Sequence, residues 1–534
     1  MRSHVPPCST ALFPPLLAAL LGVPLAGCSP APPPARSSVD WVAGSAAPAF
    51  DPDGPPDALR WALERQLSQG LVERDSTGRV RGVLVDSIAC SPDSLRWTFR
   101  LRAGLRFTDG SPATSRHVAE ALQGGLARED HATRAWLLGA VRGIDKVRAG
   151  RPLPALGIAT PDERTLVLDL ARADRRLLEK LAVPGVSTPW KRRAGSWRDA
   201  VGVGPYHVGA ENPKRSLTLI AAGPVGGIAA LADTLHVRFV LGAARAGAVM
   251  RLGHADLIWP LPPRTLSQSL PAGWSLERRA AEPPRRLLLV LRADVPPLTR
   301  VEARQALARA TNREEWASEL GPGSIVIRRW LAGARTPYEW PRLESPSDRL
   351  LPAPDARSAP RAGEPPRRPE SFHVVLAYDA DGAGAEIART LQGQWARAGH
   401  YAELRPLRGP AGTSQLLAAA GAQTQLVVAQ ALLPGGEAEL AQLVLPVRGP
   451  AIGSFRTGWR TREFDRWIAA PEPAPGFDPD VIQQRLAEDR VVLPLADLPW
   501  RMAFRNGGTR PRVHPAFGPG WTTVNSPPLG VRTR

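Results

Sequence analysis

Apolar and polar residues alternate between positions 97 and 102, with Trp97, Phe99 and Leu101 on one face and Thr98, Arg100 and Arg102 on the other, which predicts a half-buried strand. Leu105 and Phe107 continue the pattern after Gly104. Asp109-Gly110 then supplies a turn, because both residue types tolerate the left-handed backbone of a tight reversal. Thr114 is placed to cap a helix whose Val118, Ala121 and Leu122 share one face. Both periods recur along the chain. Strands are expected at residues 39–42, at 165–170 (Leu166, Leu168, Leu170), in the apolar run 286–291 and at 372–378. Helical spacing links Leu59, Leu63 and Leu67, and again Ala303, Ala306, Leu307 and Ala310 behind a Thr299-to-Glu302 capping box. A further helix at 385–398 carries Ile387, Leu391 and Trp395 and is closed by Gly399, while Gly253 stops another just before Asp256 opens a strand. The segment Gly202-Val203-Gly204-Pro205-Tyr206 reads as a tight backbone turn. Strands and helices interleave throughout, so the fold class is α/β.

At 534 residues the chain is too long for one core, and two or three domains are expected. With 43% hydrophobic and 22% charged residues it reads as a soluble globular protein. The formal charge of +18 raises the question of nucleic acid. The arginines, however, are scattered along strands and helices rather than gathered in a stripe, and no zinc-finger or RNA-binding aromatic signature accompanies them, so no nucleic-acid partner is expected. Residues 341–369 are rich in Pro, Arg, Ser and Ala without periodicity, as a long loop or linker would be.

The N-terminus carries its own pattern. Arg2 and His4 precede an apolar run at 11–23, too short and too broken by Pro14 and Pro15 to span a bilayer. Leu25-Ala26-Gly27-Cys28 follows, and then the Pro-rich stretch 29–35. The L-A-G-C string resembles the bacterial lipobox, which implies a signal peptide at 1–27 and lipidation of Cys28. Acyl chains contribute roughly 0.8 kcal/mol per buried methylene, so such a chain would be exported and held on a membrane, facing the periplasm or the cell surface. Cys90 would then be the one remaining cysteine, expected to behave as a small buried hydrophobe.

No chemistry declares itself. The nine histidines form no H-E-x-x-H, there is no G-x-S-x-G, and His117-Val118-Ala119-Glu120 reads as a solvated helix face. No catalytic residue, metal site or cofactor is expected, and an enzyme is disfavoured.

Residues 95–122 closely resemble the T-F-x-L-R-x-G-x-x-F-x-D-G-x-P-x-T-x-x-D-V signature of the extracytoplasmic solute-binding proteins of family 5, the peptide- and nickel-type receptors of ABC importers. Thr98-Phe99, Leu101-Arg102, Gly104, Phe107, Asp109-Gly110, Pro112, Thr114 and Val118 match, and His117 stands where the family has Asp. A second block, 296–313, is similar to P-F-x-D-x-R-V-R-x-A-l-x-x-A-I-D-R through Arg304, Ala306, Ala310 and Arg313, with Asn312 in place of Asp. Weaker similarities run in the family's order: Phe50-Asp51-Pro52, Gly202 to Tyr206, the 247–260 segment, the Gln394-Trp395 helix, Phe464-Asp465, and Val492 to Leu495. Together they cover about residues 40–500.

The resemblance implies a two-lobed periplasmic-binding-protein-like fold of type II, of the large cluster C kind, with an extra subdomain. One lobe would combine 28–60, 201–284 and 496–534, the subdomain would be 61–200, and the other lobe 285–495. It also implies a monomeric substrate-binding lipoprotein that captures a small-molecule or peptide-like solute and hands it to ABC permease subunits. An envelope-anchored binding or signalling module of the same fold is the alternative. In the dipeptide-binding branch an Arg pairs with the peptide carboxylate and an Asp with the amine; here those positions fall near Tyr378 and Leu433, so both charge anchors are missing. Candidate cleft residues are Phe50, Tyr378, Asp379, Gln430, Leu432 and Leu433.

Overall fold

The computed structural model describes residues 37–54, 57–75, 79–127, 137–148, 150–174, 176–193, 195–261, 270–279, 285–313, 315, 325–326, 371–379, 384–407, 424, 426–432, 484–485, 487–508, 510–514, 518–524 and 531–533. The expectations for Cys28, Leu433, the 341–369 segment and Phe464-Asp465 lie outside these residues. Among the described residues no helix is long and apolar enough to cross a membrane.

A seven-stranded sheet is ordered Trp274–Arg279, Trp500–Arg505, Leu257–Ile258, Ser38–Ala43, Thr234–Phe239, Ser216–Ala221, Tyr206–Asn212. Ser38–Ala43 runs parallel to both Thr234–Phe239 and Leu257–Ile258, and Trp500–Arg505 is antiparallel to Leu257–Ile258 and to Trp274–Arg279. A six-stranded sheet is ordered Ile325–Val326, Val492–Leu498, Arg285–Leu291, Leu426–Leu432, His373–Asp379, Tyr401–Leu407. Leu287 to Leu291 read as one continuous apolar run because both faces of that strand are covered: none is more than 2% exposed. The helix Gly384–Arg397 makes the crossover between the parallel strands His373–Asp379 and Tyr401–Leu407, burying Ile387, Leu391 and Trp395 as the spacing requires. The six-stranded sheet has a hydrophobic cluster of its own, and the seven-stranded sheet shares its main cluster with the strands and helix of residues 85–170.

A five-stranded sheet is ordered Val531–Thr533, Val85–Cys90, Arg96–Leu101, Thr165–Asp169, Ile158–Asp162. Phe99, Leu101, Leu166 and Leu168 point into the core, and the helix Ser115–Gln123 buries Val118, Ala121 and Leu122. Cys90 is a buried free thiol.

The elements differ from the expected segmentation in three places. The helix Ala58–Leu67 spans the 60/61 boundary as one element, anchored by Asp57, whose carboxylate accepts from Arg60 N–H at 2.7 Å. The strand Val492–Leu498 runs past 495, so the change of sheet falls at Pro499. Residues 496–534 do not stay with one sheet, because Val531–Thr533 pairs in parallel with Val85–Cys90. The Thr299 capping box does not form either. The helix is Val301–Arg309, capped by Arg300, and its entry is fixed from inside: Arg304 donates to the carbonyls of Leu298 (2.7 Å), Thr299 (3.2 Å) and Asp489 (2.6 Å).

Candidate functional site: the crossover edge

The strongest signature of the sequence turns out to be scaffold. Asp109 accepts hydrogen bonds from Ser111 N–H (3.0 Å) and Ser111 Oγ–H (2.7 Å), shaping a turn in which Gly110 takes φ +85°. Its carboxyl is held down at about 2, first by the Lys191 ammonium bonded to it and then by Ser111. His117 stands at the third position of the helix and its Nδ1 accepts the Thr114 N–H at 3.1 Å. A neutral imidazole thus performs the back-reaching half of a capping box, the role a carboxylate fills at that position. Burial pushes the His117 pKa below its ordinary value, which keeps that acceptor available. The Gly202 and Gly204 pair does not make a left-handed turn. It lies against the end of the helix Ala58–Leu67, where a Cβ on Gly204 would come within 2.5 Å of the Leu67 carbonyl carbon and one on Gly202 within 2.4 Å of Ser68 Cβ. Thr108 N–H donates to the Gly202 carbonyl at 3.0 Å, tying this segment to the turn. The second signature block is internal as well: Gln394 brackets Asn312 by accepting from its N–H (2.9 Å) and donating to its carbonyl (3.0 Å), and Trp395 Nε1–H donates to Thr311 Oγ1 at 3.0 Å.

Among the carboxylates of the described residues Glu64 stands out, raised from 4.5 to about 7, chiefly by burial and against the pull of Arg60 at 3.4 Å. A perturbed carboxyl can mark a site. At 2% exposure on a core helix, Glu64 does not present itself to a solute.

The sheet topology points elsewhere. In the six-stranded sheet, His373–Asp379, Tyr401–Leu407, Leu426–Leu432 and Val492–Leu498 all run in one direction, so Asp379, Leu407, Leu432 and Leu498 end at one edge. In the seven-stranded sheet Ser38–Ala43, Thr234–Phe239, Leu257–Ile258 and Trp274–Arg279 likewise end together, at Ala43, Phe239, Ile258 and Arg279. Every described strand of the six-stranded sheet falls between Arg285 and Leu498. The chain therefore leaves the seven-stranded sheet after Arg279 and returns to it at Trp500. Arg279 is paired with Trp500, and Arg285 with Leu498, so the two crossings lie side by side. The carboxyl edges of both sheets border this pair of crossings, which is where open α/β sheets hold ligands.

Of the candidate residues, Asp379, Gln430 and Leu432 lie at or near this edge; Gln430 is in register with Leu287, and Leu432 with Arg285. Tyr378 is one residue from the edge but 9% exposed, and it shares the core face of its strand with Val374 and Leu376. Phe50 belongs to the other core: it is 2% exposed, with Trp190 and Trp197 at ring-centroid distances of 5.0 and 5.3 Å. It is packing.

On the other sheet Trp500, at the second crossing, packs into the core with two more tryptophans that periodicity did not single out. Trp41, Trp259 and Trp500 form a buried row, with centroids 6.1 Å and 5.2 Å apart, and Trp41 Nε1–H donates to the Trp259 carbonyl at 2.7 Å. Arg278 stands opposite Arg501. The only trace of this in the sequence is the doubled arginine on each side of the first crossing, Arg278-Arg279 and Arg285-Arg286, and Trp500-Arg501 after the second. Among the described residues no cluster of His, Cys, Asp and Glu could hold a metal ion.

Known proteins share this architecture. The murein tripeptide binding protein MppA of Escherichia coli superposes with a TM-score of 0.74 at 16% identity, over 92% of this chain and 99% of that one. Haemophilus influenzae OppA in complex with RPPGFSPFR gives 0.70 at 16% identity, with the same coverage. At that identity the likeness shows the fold, which is the two-lobed type II periplasmic-binding-protein fold. In sequence, the glutathione-binding protein GsiB of Escherichia coli K12 is 23% identical over 314 residues, 58% of this chain. The match spans about 59% of the length of that relative. The family model for the middle region of bacterial extracellular solute-binding proteins of family 5 matches residues 79–430, well over half of the chain. Family and fold are those of binding proteins, and the chain belongs to the bacterial extracellular solute-binding proteins, family 5.

Proposed function

We propose that this protein is the substrate-binding lipoprotein of an ABC importer, which captures a peptide-like or other small solute between its two lobes and delivers it to permease subunits. The observation that carries the reading is the pair of adjacent crossings bordered by the carboxyl edges of both sheets. Two short connections allow one lobe to rotate against the other, and a solute touching both edges favours the closed arrangement. Moving such an equilibrium from 1:99 to 99:1 needs about 5.5 kcal/mol of differential affinity, within reach of a buried small-molecule site. Asp379, Gln430, Leu432 and Leu433 are the proposed contacts from the six-stranded side. The names of the similar proteins, which speak of glutathione, a murein tripeptide and a nonapeptide, support a peptide-like solute.

Cys28 is the proposed lipid attachment point, after removal of residues 1–27, with the protein working as a monomer on the outer side of a membrane. Acylation labelling tests this separately: a mature form without lipid contradicts it. Native mass spectrometry of protein purified without refolding tests the binding function. A defined co-purified solute is expected. No solute, and no thermal stabilisation by peptides, sugars or divalent metals, overturns the receptor and favours an envelope-anchored module of the same fold.

A further inference from the structure

Between Asp233 and Asp256 the chain carries no Asp or Glu, while Arg238, Arg245 and Arg251 fall inside this span. It forms the strand Thr234–Phe239, the helix Ala243–Arg251 and the turn into Leu257–Ile258. Those two strands flank Ser38–Ala43 in parallel, so the helix that joins them crosses over that strand. Its inner side is settled: Ala246 and Met250 are buried and cluster with Val42, Ala255 and Ile258. Its outer side carries Ala244, Arg245 and Arg251, all exposed. Leu241, just ahead of the helix, is 41% exposed, and Leu252, which ends it, is 66% exposed. Helical spacing sets Leu241, Arg245, Ala248 and Leu252 on one line, with Arg251 beside it. The acids that border the span are engaged. Asp256 accepts from Asp40 N–H at 2.9 Å, Asp233 accepts from Ser37 N–H at 2.7 Å, and Asp40 lies 3.8 Å from Arg238. Arginines interleaved with exposed leucines, without acids, suit an interface where cations meet phosphates and apolar side chains reach the acyl boundary.

The chain enters the sheet next to the end of this helix. Ser37 immediately precedes the strand Ser38–Ala43, in which Asp40 accepts from Asp256 N–H at 2.8 Å through its carbonyl, and Arg238 reaches the His254 carbonyl. Cys28 stands nine residues before Ser37, at most about 32 Å of chain. We propose that the outward face of Ala243–Arg251, with Leu241 and Leu252 at its ends, docks on anionic phospholipid headgroups of the membrane that carries the lipidated Cys28. Arg245 and Arg251 bind the phosphates, and the two leucines enter the headgroup–acyl boundary. The inference rests on the lipoprotein reading of Cys28 and adds an orientation to it.

The test is hydrogen–deuterium exchange on the mature protein bound to vesicles of phosphatidylcholine alone, or of phosphatidylcholine mixed with phosphatidylglycerol. Exchange at 243–252 should slow in the mixed vesicles only and recover in high salt, while 384–397 stays unchanged. Flotation of a mature-length Cys28→Ala chain, which can carry no acyl group, reads the face by itself. Binding to the mixed vesicles should weaken about fivefold in Arg245→Gln and in Arg251→Gln, and about twenty-five-fold in the double variant. Leu252→Ser should weaken it without changing its salt dependence, and Arg389→Gln, exposed on the helix Gly384–Arg397, should leave it unchanged. Arg245 and Arg251 are exposed, so their substitution leaves the core intact. Equal protection in both lipids, no protection at 243–252, or flotation indifferent to the double substitution overturns the docking face and leaves the anchor standing. Flotation lost in the double variant, with no lipid found on Cys28 of the parent, removes the anchor and leaves the face standing.

Discussion

The five-stranded sheet and the crossover edge divide the work of the molecule unevenly. The sheet holds the segment that makes the family recognisable, and its matching residues fill a core, close a turn or cap a helix: Phe99 is fully buried, Asp109 shapes the turn and His117 completes a cap. The crossover edge carries the proposed ligand contacts and has no comparable string. A signature can be strong because its residues satisfy one another locally. The proposed ligand edge is assembled from strand ends far apart in the chain, here Arg279, Asp379, Leu432 and Leu498.

Substitutions should separate the two regions. The largest effect is expected from Phe99→Ala, which removes a fully buried ring and should cost about 3–5 kcal/mol in urea unfolding, while solute affinity of the folded fraction stays unchanged. Loss of affinity at unchanged stability would erase the distinction. Next comes Glu64. Its pKa is raised to about 7 in the folded state from 4.5, so its contribution is fully present below pH 4.5 and is lost as pH rises through 7. Glu64→Gln should remove that decline, on the order of 3 kcal/mol across the interval, in melts recorded from pH 4 to pH 8. Gly204→Ala should cost about 1–3 kcal/mol, because the new methyl meets the Leu67 backbone rather than a side chain that can yield.

The smallest expected effect is at His117. Its pKa is lowered in the fold, so its contribution is present above its unfolded value of 6.5 and is lost as pH falls below it. The sign is opposite to that of Glu64. His117→Asp restores a carboxylate near the helix N-terminus and should add about 0.5 kcal/mol while flattening the slope below pH 6.5, read from melting temperature against pH. A variant less stable than the parent would show that the Thr114 N–H to imidazole bond is worth more than a carboxylate there.

Much of the fold was legible because it is written in local periodicity. The alternation around Phe99, the unbroken apolar run at 287–291 and the Ile387, Leu391, Trp395 stripe all became the elements their spacing implies. Helix entry at 299–301 is not legible locally, because Thr299 has the right chemistry for a cap while the deciding group, Arg304, bonds back from inside the helix. The glycines at 202 and 204 look like a turn in sequence because close approach to a helix end more than 130 residues earlier leaves no local mark. Val531–Thr533 is too short to show a period, and its partner Val85–Cys90 lies at the far end of the chain. The crossover edge was the least legible part, since register between strands more than 200 residues apart decides which arginines face each other.

The most direct measurement is hydrogen–deuterium exchange with and without the solute that co-purifies. Protection gathered at 276–279, 285–291, 426–432 and 498–503, with little change at 85–123, is the predicted result. Protection centred on the five-stranded sheet, or none at the crossings, would contradict the placement of the ligand there.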